Sequence, residues 1–311
     1  MSTALITHPD SLRHVTPPGH PESVARIEAV NEALIAPEFT FLVRESAPLA
    51  DEAAVLRGHG HTYLEALKAA VPATGWAQLD PDTFLSPGSM AAALRALGAC
   101  IRAVDMVLGG EVRNAFAAVR PPGHHAEAGR SMGFCLFSNI AIAAKHALDH
   151  HGLARVAVVD FDVHHGNGTQ DILWDEARAL FVSTHQMPLW PFTGAPEERG
   201  AHDNVLNVPL PPHADGTRFR AEIETKVLPR LDAFAPELLL VSAGFDAHRA
   251  DPLAQLDLGV EDFAWVTQRL CDIADAHCGG RVVSTLEGGY DLDALAASVA
   301  AHVKVLMERG A

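Results

Sequence analysis

Between Val156 and Thr169 the sequence reads V-A-V-V-D-F-D-V-H-H-G-N-G-T, which sets Asp160, Asp162 and His164 at every second position as an apolar run ends. Successive side chains of an extended strand alternate faces, so these three groups emerge on one side. Desolvating two carboxylates and an imidazole costs several kcal/mol unless a cation or hydrogen bonds compensate. A metal site can be built there. A second apolar run, Leu238 to Ser242, leads into A-G-F-D and delivers Asp246. Asp162, His164 and Asp246 together offer one nitrogen and two carboxylate oxygens and leave a coordination position open, as catalytic metal sites do. Zinc in such a set lowers the pKa of water from about 15.7 to roughly 7 and polarises a carbonyl, which suits hydrolysis of an unactivated amide. The oxygen-rich set also accommodates Fe2+, with zinc the first choice.

Two further strand ends carry chemistry. R-P-P-G-H-H follows Asn114 to Val119 and supplies His124 and His125; E-G-G-Y-D follows Arg281 to Leu286 and supplies Tyr290. Singly each has a plain alternative: a solvated His-His pair, a helix-capping Asp, an ordinary Gly-Gly turn. Their joint arrival at strand ends points to one site, because ligands in open α/β sheets bind beyond the carboxyl ends of the strands.

The elements that must position these groups alternate. Strands are expected at Phe39 to Arg44, Asn114 to Val119, Val156 to Phe161, Ala179 to Ser183, Val205 to Val208, Leu238 to Ser242 and Arg281 to Leu286. Amphipathic helical patterns cover Glu22 to Leu34, His61 to Ala70, Pro87 to Leu108, Ser138 to His150, Thr217 to Ala233, Val260 to His277 and Leu292 to Met307. Parallel strands need long crossovers, so this alternation indicates an α/β protein. The 311 residues, 48% hydrophobic, are undivided by a linker or charge run and show no repeat of solenoid or propeller period. One domain, residues 1 to 311, is expected.

The N-terminus lacks the basic-then-apolar pattern of a signal segment, and no apolar run approaches the roughly 18 residues that span a bilayer. A soluble, cytoplasmic protein is the expectation. Cys100, Cys135, Cys271 and Cys278 form no C-x-x-C pair and read as reduced, packed thiols. With 39 acidic and 23 basic residues the net charge is −16, which disfavours nucleic acid and anionic membrane as partners. Homo-oligomerisation is left open.

Motifs along nearly the whole chain resemble the histone deacetylase family, with its bacterial deacetylase-like relatives and the acetylpolyamine amidohydrolases. They are H-P-E-S-V-A-R-I (His20 to Ile27), D-P-D-T-F-L-S-P-G-S (Asp80 to Ser89), R-P-P-G-H-H-A (Arg120 to Ala126) and G-F-C-L-F-S-N (Gly133 to Asn139). D-F-D-V-H-H-G-N-G-T-Q (Asp160 to Gln170), S-A-G-F-D-A-H-R-A-D-P (Ser242 to Pro252) and L-E-G-G-Y (Leu286 to Tyr290) complete the series in the family's order. The resemblance implies an arginase-like three-layer α/β/α fold around a mostly parallel sheet of about eight strands. It also implies that Asp162, His164 and Asp246 hold the metal, that His125 is the general base and acid, and that Asp160 holds His124 cationic or tightly hydrogen-bonded. Asn167 stands where some members carry an aspartate, which resembles the class II branch and leaves His125 more readily neutral. Tyr290 falls where the family's phenol donates to the substrate carbonyl. The carboxylate and backbone of Asp160, Asp162 and His164, with Ser183 and Thr184, match a potassium site.

Substrate positions are likewise implied. Gly133, Phe134, Trp190 and Gly289 belong to a narrow tunnel for a linear side chain, Trp190 replacing the commoner Phe. The loop from Met187 to Phe192 is shorter than in many relatives and carries Phe192 where a glycine is usual, so the channel is expected to be narrower or differently inclined. Asp82 aligns with a rim aspartate that holds peptide backbone. Leu253 stands where a polyamine-selective branch carries a glutamate, which favours an acyl-lysine peptide over an acetylpolyamine or other small acylated amine. Two other readings stay open: a ureohydrolase on the same fold, and an inactive metal-binding or acyl-lysine-binding module.

Overall fold

A computed structural model describes residues 2–311. Among the described residues there are ten strands and ten α-helices. The first part runs β1 (Thr3–Thr7), α1 (Val24–Ala33), β2 (Val43–Ser46), α2 (Glu52–Val55), α3 (His61–Ala70), β3 (Ala77–Gln78), β4 (Phe84–Leu85), α4 (Ser89–Leu108) and β5 (Asn114–Ala117). The second continues α5 (Asn139–Asp149), β6 (Val156–Asp160), α6 (Asn167–Leu173), β7 (Ala179–Gln186), β8 (Val205–Leu210), α7 (Gly216–Glu222), α8 (Leu228–Phe234), β9 (Leu238–Ala243), α9 (Val260–Cys278), β10 (Val282–Leu286) and α10 (Leu292–Gly310). Eight strands form one sheet in the order β2-β1-β5-β10-β9-β6-β7-β8, with every pair parallel.

A parallel sheet must be covered on both faces, and the strand sequences show how. In β6, Ala157 and Val159 enter a core with α1, α9 and α10, while Val156 and Val158 enter a second core with α4 and α5. The alternation outlasts the ladder: Phe161 and Val163 keep to the first core, so Asp160, Asp162 and His164 stay on the opposite side although β6 ends at Asp160. The second core is lined by small side chains, Ala96, Ala99 and Ala103 of α4 and Ala141, Ala144 and Ala147 of α5, which lets the two helices lie close to the sheet.

Two expectations are corrected, and one strand is added. The strand expected at Phe39 to Arg44 is a single-turn helix, Pro37–Phe39, followed by β2; Phe39 and Leu42, three apart, both point inward while Phe41 is 86% exposed, a helical rather than a strand spacing. Strand β1 lies in a five-residue segment, T-A-L-I-T, too short to signal itself. The helix expected over Thr217 to Ala233 is broken by a π-helical stretch, Ile223–Val227, ahead of Pro229, which lacks the N–H that would reach Thr225 and pushes its carbonyl away.

The segment before α1 is fixed by a buried charge cluster. Glu22 accepts from Arg26 at 3.0 Å and from Arg120 Nη2 at 2.7 Å, and Arg120 also donates to the Ser11 carbonyl at 2.8 Å. Arg26 reaches on to the carbonyls of Glu287, at 2.5 Å, and Gly289, at 2.6 Å. One carboxylate thus joins α1, the loop after β5 and the loop after β10. Removing one partner of a buried ionic cluster strands the other charge, so Glu22→Ala should lower unfolding free energy by about 3–5 kcal/mol, read by denaturant titration.

His302 of α10 is buried and neutral. The Thr267 hydroxyl donates to the Phe263 carbonyl at 2.6 Å, so it accepts from His302 Nδ1 at 2.7 Å, and Nε2 accepts from the Ser284 hydroxyl at 2.9 Å. Burial lowers its pKa to about 3. Below the ordinary value of about 6.5 the unfolded chain therefore takes up a proton that the folded chain refuses, and stability falls as pH falls. His302→Gln should make the loss between pH 6 and 4 shallower by about 1.4 kcal/mol per pH unit, measured from unfolding midpoints; an unchanged slope would contradict this assignment.

Candidate active site

The loops after β5, β10, β9 and β6 bring the chemistry together, and these strands are four consecutive neighbours in the sheet. Asp162, His164 and Asp246 offer ligand atoms all within 4.8 Å of one another and are buried. His164 Nδ1 lies 3.2 Å from Asp162 Oδ1 and 3.2 Å from Asp246 Oδ2. Around an ion bonded at about 2.0–2.1 Å, tetrahedral neighbours sit about 3.3 Å apart, so these atoms fit a zinc-sized cation. Burial alone would strip charge from His164, yet the two carboxylates hold its pKa up at about 10, which marks a point that demands positive charge.

Backbone groups fix the carboxylates. His164 N donates to Asp162 Oδ1 at 2.9 Å, Gly288 N to Asp162 Oδ2 at 2.8 Å, and Val163 N to Asp246 Oδ1 at 2.9 Å. Gly288 must be glycine for this approach: a Cβ there would collide with Asp246 Oδ2 and sit 2.6 Å from Asp162 Oδ2. Glu287, absent from the sequence reading of the site, accepts from Gly123 N at 2.7 Å, His124 N at 3.2 Å and the Ser242 hydroxyl at 3.0 Å, and so holds the histidine loop in place.

The adjacent histidines are set in opposite states. His124 Nδ1 is 2.9 Å from Asp160 Oδ2 and its Nε2 is 3.7 Å from Asp162 Oδ2. Burial opposes charge on His124, but the carboxylates of Asp162 and Asp160 prevail and raise its pKa well above the ordinary value. Burial lowers His125, and cationic neighbours His124 and His164 push it further below the usual range. The Asn167 amide donates to Glu127 at 2.8 Å, so its oxygen faces His125 Nδ1 at 2.8 Å. His125 thus donates from Nδ1 and keeps Nε2 as an acceptor.

These groups open into a cavity of about 340 Å3. Its walls include His125, His164, Gly133, Phe134, Trp190, Leu253, Asp82 and Tyr290. Gly133 and Phe134 both have positive φ, +56° and +68°, at the centre of a tight Met132–Cys135 turn. A Cβ on Gly133 would strike the His125 ring and come within 2.6 Å of Trp190. Trp190 stands edge-on to His125 at 4.8 Å between centroids, and Phe134 edge-on to Tyr290 at 5.8 Å. Tyr290 is kept protonated by desolvation, although Arg26, 4.8 Å over its ring, works the other way. Its backbone N–H donates to Asp251 at 2.7 Å. A larger depression, about 810 Å3 beside Arg220 and Trp265, holds none of the converging groups.

Some sequence-stated positions lie apart. Gly289 is not on the cavity wall; its carbonyl is held by Arg26 and its φ is +126°. Phe192 adopts a left-handed φ of +62°, the conformation that favours glycine, and is 74% exposed away from the cavity. Asp160 and Ser183 are paired across β6 and β7. The Ser183 hydroxyl lies 2.9 Å from His185 Nδ1, and Thr184 Oγ1 is 3.5 Å from the Asp160 carbonyl. His20, Pro21, Phe84 and Leu189 also line the cavity. His20 opens the His20–Ile27 motif but carries no chemical signal of its own in the sequence; here its ring meets Phe134 at 4.8 Å and it donates to the Asp82 carbonyl at 2.9 Å.

The Histone deacetylase domain model matches residues 20–306. The chain is 42% identical over 285 residues to a histone deacetylase-like amidohydrolase of Pseudomonas aeruginosa, covering 89% of this chain and 74% of that one. It is 38% identical over 302 residues to a probable deacetylase of Archaeoglobus fulgidus, covering 94% and 82%. An uncharacterized protein of Synechocystis is 44% identical over 308 residues, 98% of this chain and 99% of the relative. The crystal structure of the HDA15 HD domain matches with a TM-score of 0.94 at 33% identity, over 99% of this chain and 89% of that one. The matched span and the shared eight-stranded architecture show that the chain belongs to the histone deacetylase family and is a hydrolase of the deacetylase class.

Proposed function

We propose that residues 1–311 form one catalytic domain that removes an acetyl or other short acyl group from a primary-amine side chain, with zinc as the cofactor and acyl-lysine as the preferred substrate type. The carrying observation is that His164, His125 and Tyr290 line one cavity, with His164 flanked at 3.2 Å by the Asp162 and Asp246 carboxylates. When bound by Asp162, His164 and Asp246, the divalent ion supplies Lewis-acid polarisation of the acyl carbonyl and a lowered pKa for water.

The protein's own groups supply the rest. Neutral His125 accepts a proton from the attacking water at Nε2, because Nδ1 is committed to Asn167. The water oxygen bonds to the acyl carbon, and the Tyr290 phenol donates to the oxyanion that develops there. His125 then returns the proton to the amine nitrogen as the C–N bond breaks, so acid and amine leave in balance. Cationic His124, tied to Asp160, adds fixed positive charge beside the reacting carbon without itself titrating at neutral pH. The apolar walls Phe134, Trp190 and Leu253 suit an alkyl stem, and Asp82 at the mouth suits a backbone N–H or a second ammonium. A potassium ion beside Asp160 and Ser183 is part of the same reading; Ser183 donates to His185, whose Nε2 donates to the Gly194 carbonyl at 3.0 Å, and this leaves the Ser183 oxygen lone pairs free.

Removing a donor aimed at developing charge typically costs about 2.7–4 kcal/mol, so Tyr290→Phe should slow acetyl-lysine turnover by roughly 10² to 10³. Chelation should abolish turnover of a fluorogenic acyl-lysine and zinc should restore it. Full activity in the Tyr290→Phe protein would remove the phenol from the mechanism, and a wild-type protein inert to acylated amines would favour a binding module. Acetylspermidine turned over far faster than acetyl-lysine peptide would overturn the substrate choice.

A further inference from the structure

Helix α5 ends in His146-Ala-Leu-Asp-His150-His151, far from the chemistry at its start. It begins just after the loop that carries Gly133 and Phe134 and ends before β6 starts at Val156, so its last turn lies at the amino-terminal edge of the sheet. A spacing of four puts His146 and His150 on one helix face. Their rings stack at 4.8 Å between centroids with planes 13° apart. His151 folds back so that its ring lies 5.3 Å from that of His146 and 5.0 Å from that of His150. One ligand nitrogen from each of the three lies within 4.8 Å of the others.

A carboxylate faces this cluster from α4. Asp105 Oδ1 lies 2.7 Å from Nε2 of His146 and 2.7 Å from Nε2 of His151. The nearby guanidinium groups are already paired: Arg178 and Arg57 with Asp149, at 2.9 and 3.9 Å, and Arg102 with Glu45 and Glu111, at 3.2 and 2.9 Å. A single imidazole at a helix C-terminus needs no more explanation than the helix dipole. Three imidazole nitrogens that converge are a ligand set, and the Asp105 carboxylate holds two of the three rings in place.

We propose that His146, His150 and His151, two of them oriented by Asp105, bind a second divalent ion of the transition series, such as Zn2+, Co2+, Ni2+ or Cu2+. Three imidazole nitrogens select these ions over Mg2+ and Ca2+, which take oxygen shells. Asp105 and His151 are partly exposed and His150 is exposed, which leaves them free to turn. The ion fastens the end of α5, and the connection into β6, to α4, so its role is structural.

The test is ion stoichiometry in the full-length, chelator-stripped protein dialysed against micromolar Zn2+. The wild type should retain two ions per chain, and His150→Ala/His151→Ala should retain one. Asp105→Asn, which preserves volume, should weaken the second ion about tenfold or more. Asp246→Ala reports separately on the catalytic site: in that background added Zn2+ should still raise Tm, and the rise should vanish when His150 and His151 are also replaced. A double variant that keeps the wild-type stoichiometry, or a wild type with one ion that Asp246→Ala removes, would overturn the proposal.

Discussion

Negative charge that has been taken out of water at one edge of a sheet is the constraint on which this molecule is built. Asp160, Asp162, Asp246 and Glu287 are all fully buried at the ends of three adjacent strands or in the loops that follow them. An isolated buried carboxylate is prohibitively costly, and four in one place repel one another as well. The fold answers with oriented N–H groups from His164, Gly288, Val163, Asp162 and Gly123, and with the His124 imidazole. These donors leave one locus, between His164 Nδ1 and the Asp162 and Asp246 oxygens, still calling for a cation.

That requirement explains features that look unrelated along the chain. Gly244 and Gly288 stand where a side chain would overlap the carboxylates. The strands beneath are buried on both faces, so the loops above them rest on a base that cannot shift by a fraction of an ångström without disturbing packed side chains. Glu22, with Arg26 and Arg120, pulls the histidine loop and the Gly289 loop onto α1. The two histidines then divide the labour by environment alone: one is surrounded by carboxylates and stays charged, while the other faces an amide and charged imidazoles and stays neutral.

Much of this was legible in the sequence because the information is local. Six strands announced themselves as β-branched or leucine-rich runs, and the strand-end position of Asp162, His164 and Asp246 followed from the residues themselves. The side-chain alternation persisted to His164 even though the ladder stops at Asp160, since Phe161 and Val163 are still bound into one core. The count of about eight strands and the roles proposed for Tyr290 and His125 came through family resemblance, while the strand order was not read at all, because it depends on contacts remote in sequence. What stayed hidden was long-range: nothing near Glu22 signals that it meets Arg120, and nothing near His20 signals that it meets Phe134. Short β1 and the Pro37–Phe39 turn were hidden for the opposite reason, too few residues to establish a period.

Anomalous diffraction at the zinc edge, from crystals of zinc-loaded protein, addresses the central claim most directly. A peak bonded to His164 Nδ1 and to carboxylate oxygens of Asp162 and Asp246 is expected, with the Tyr290 hydroxyl and His125 Nε2 facing the same point. Density absent there, or an ion whose ligands omit any of those three side chains, would contradict it.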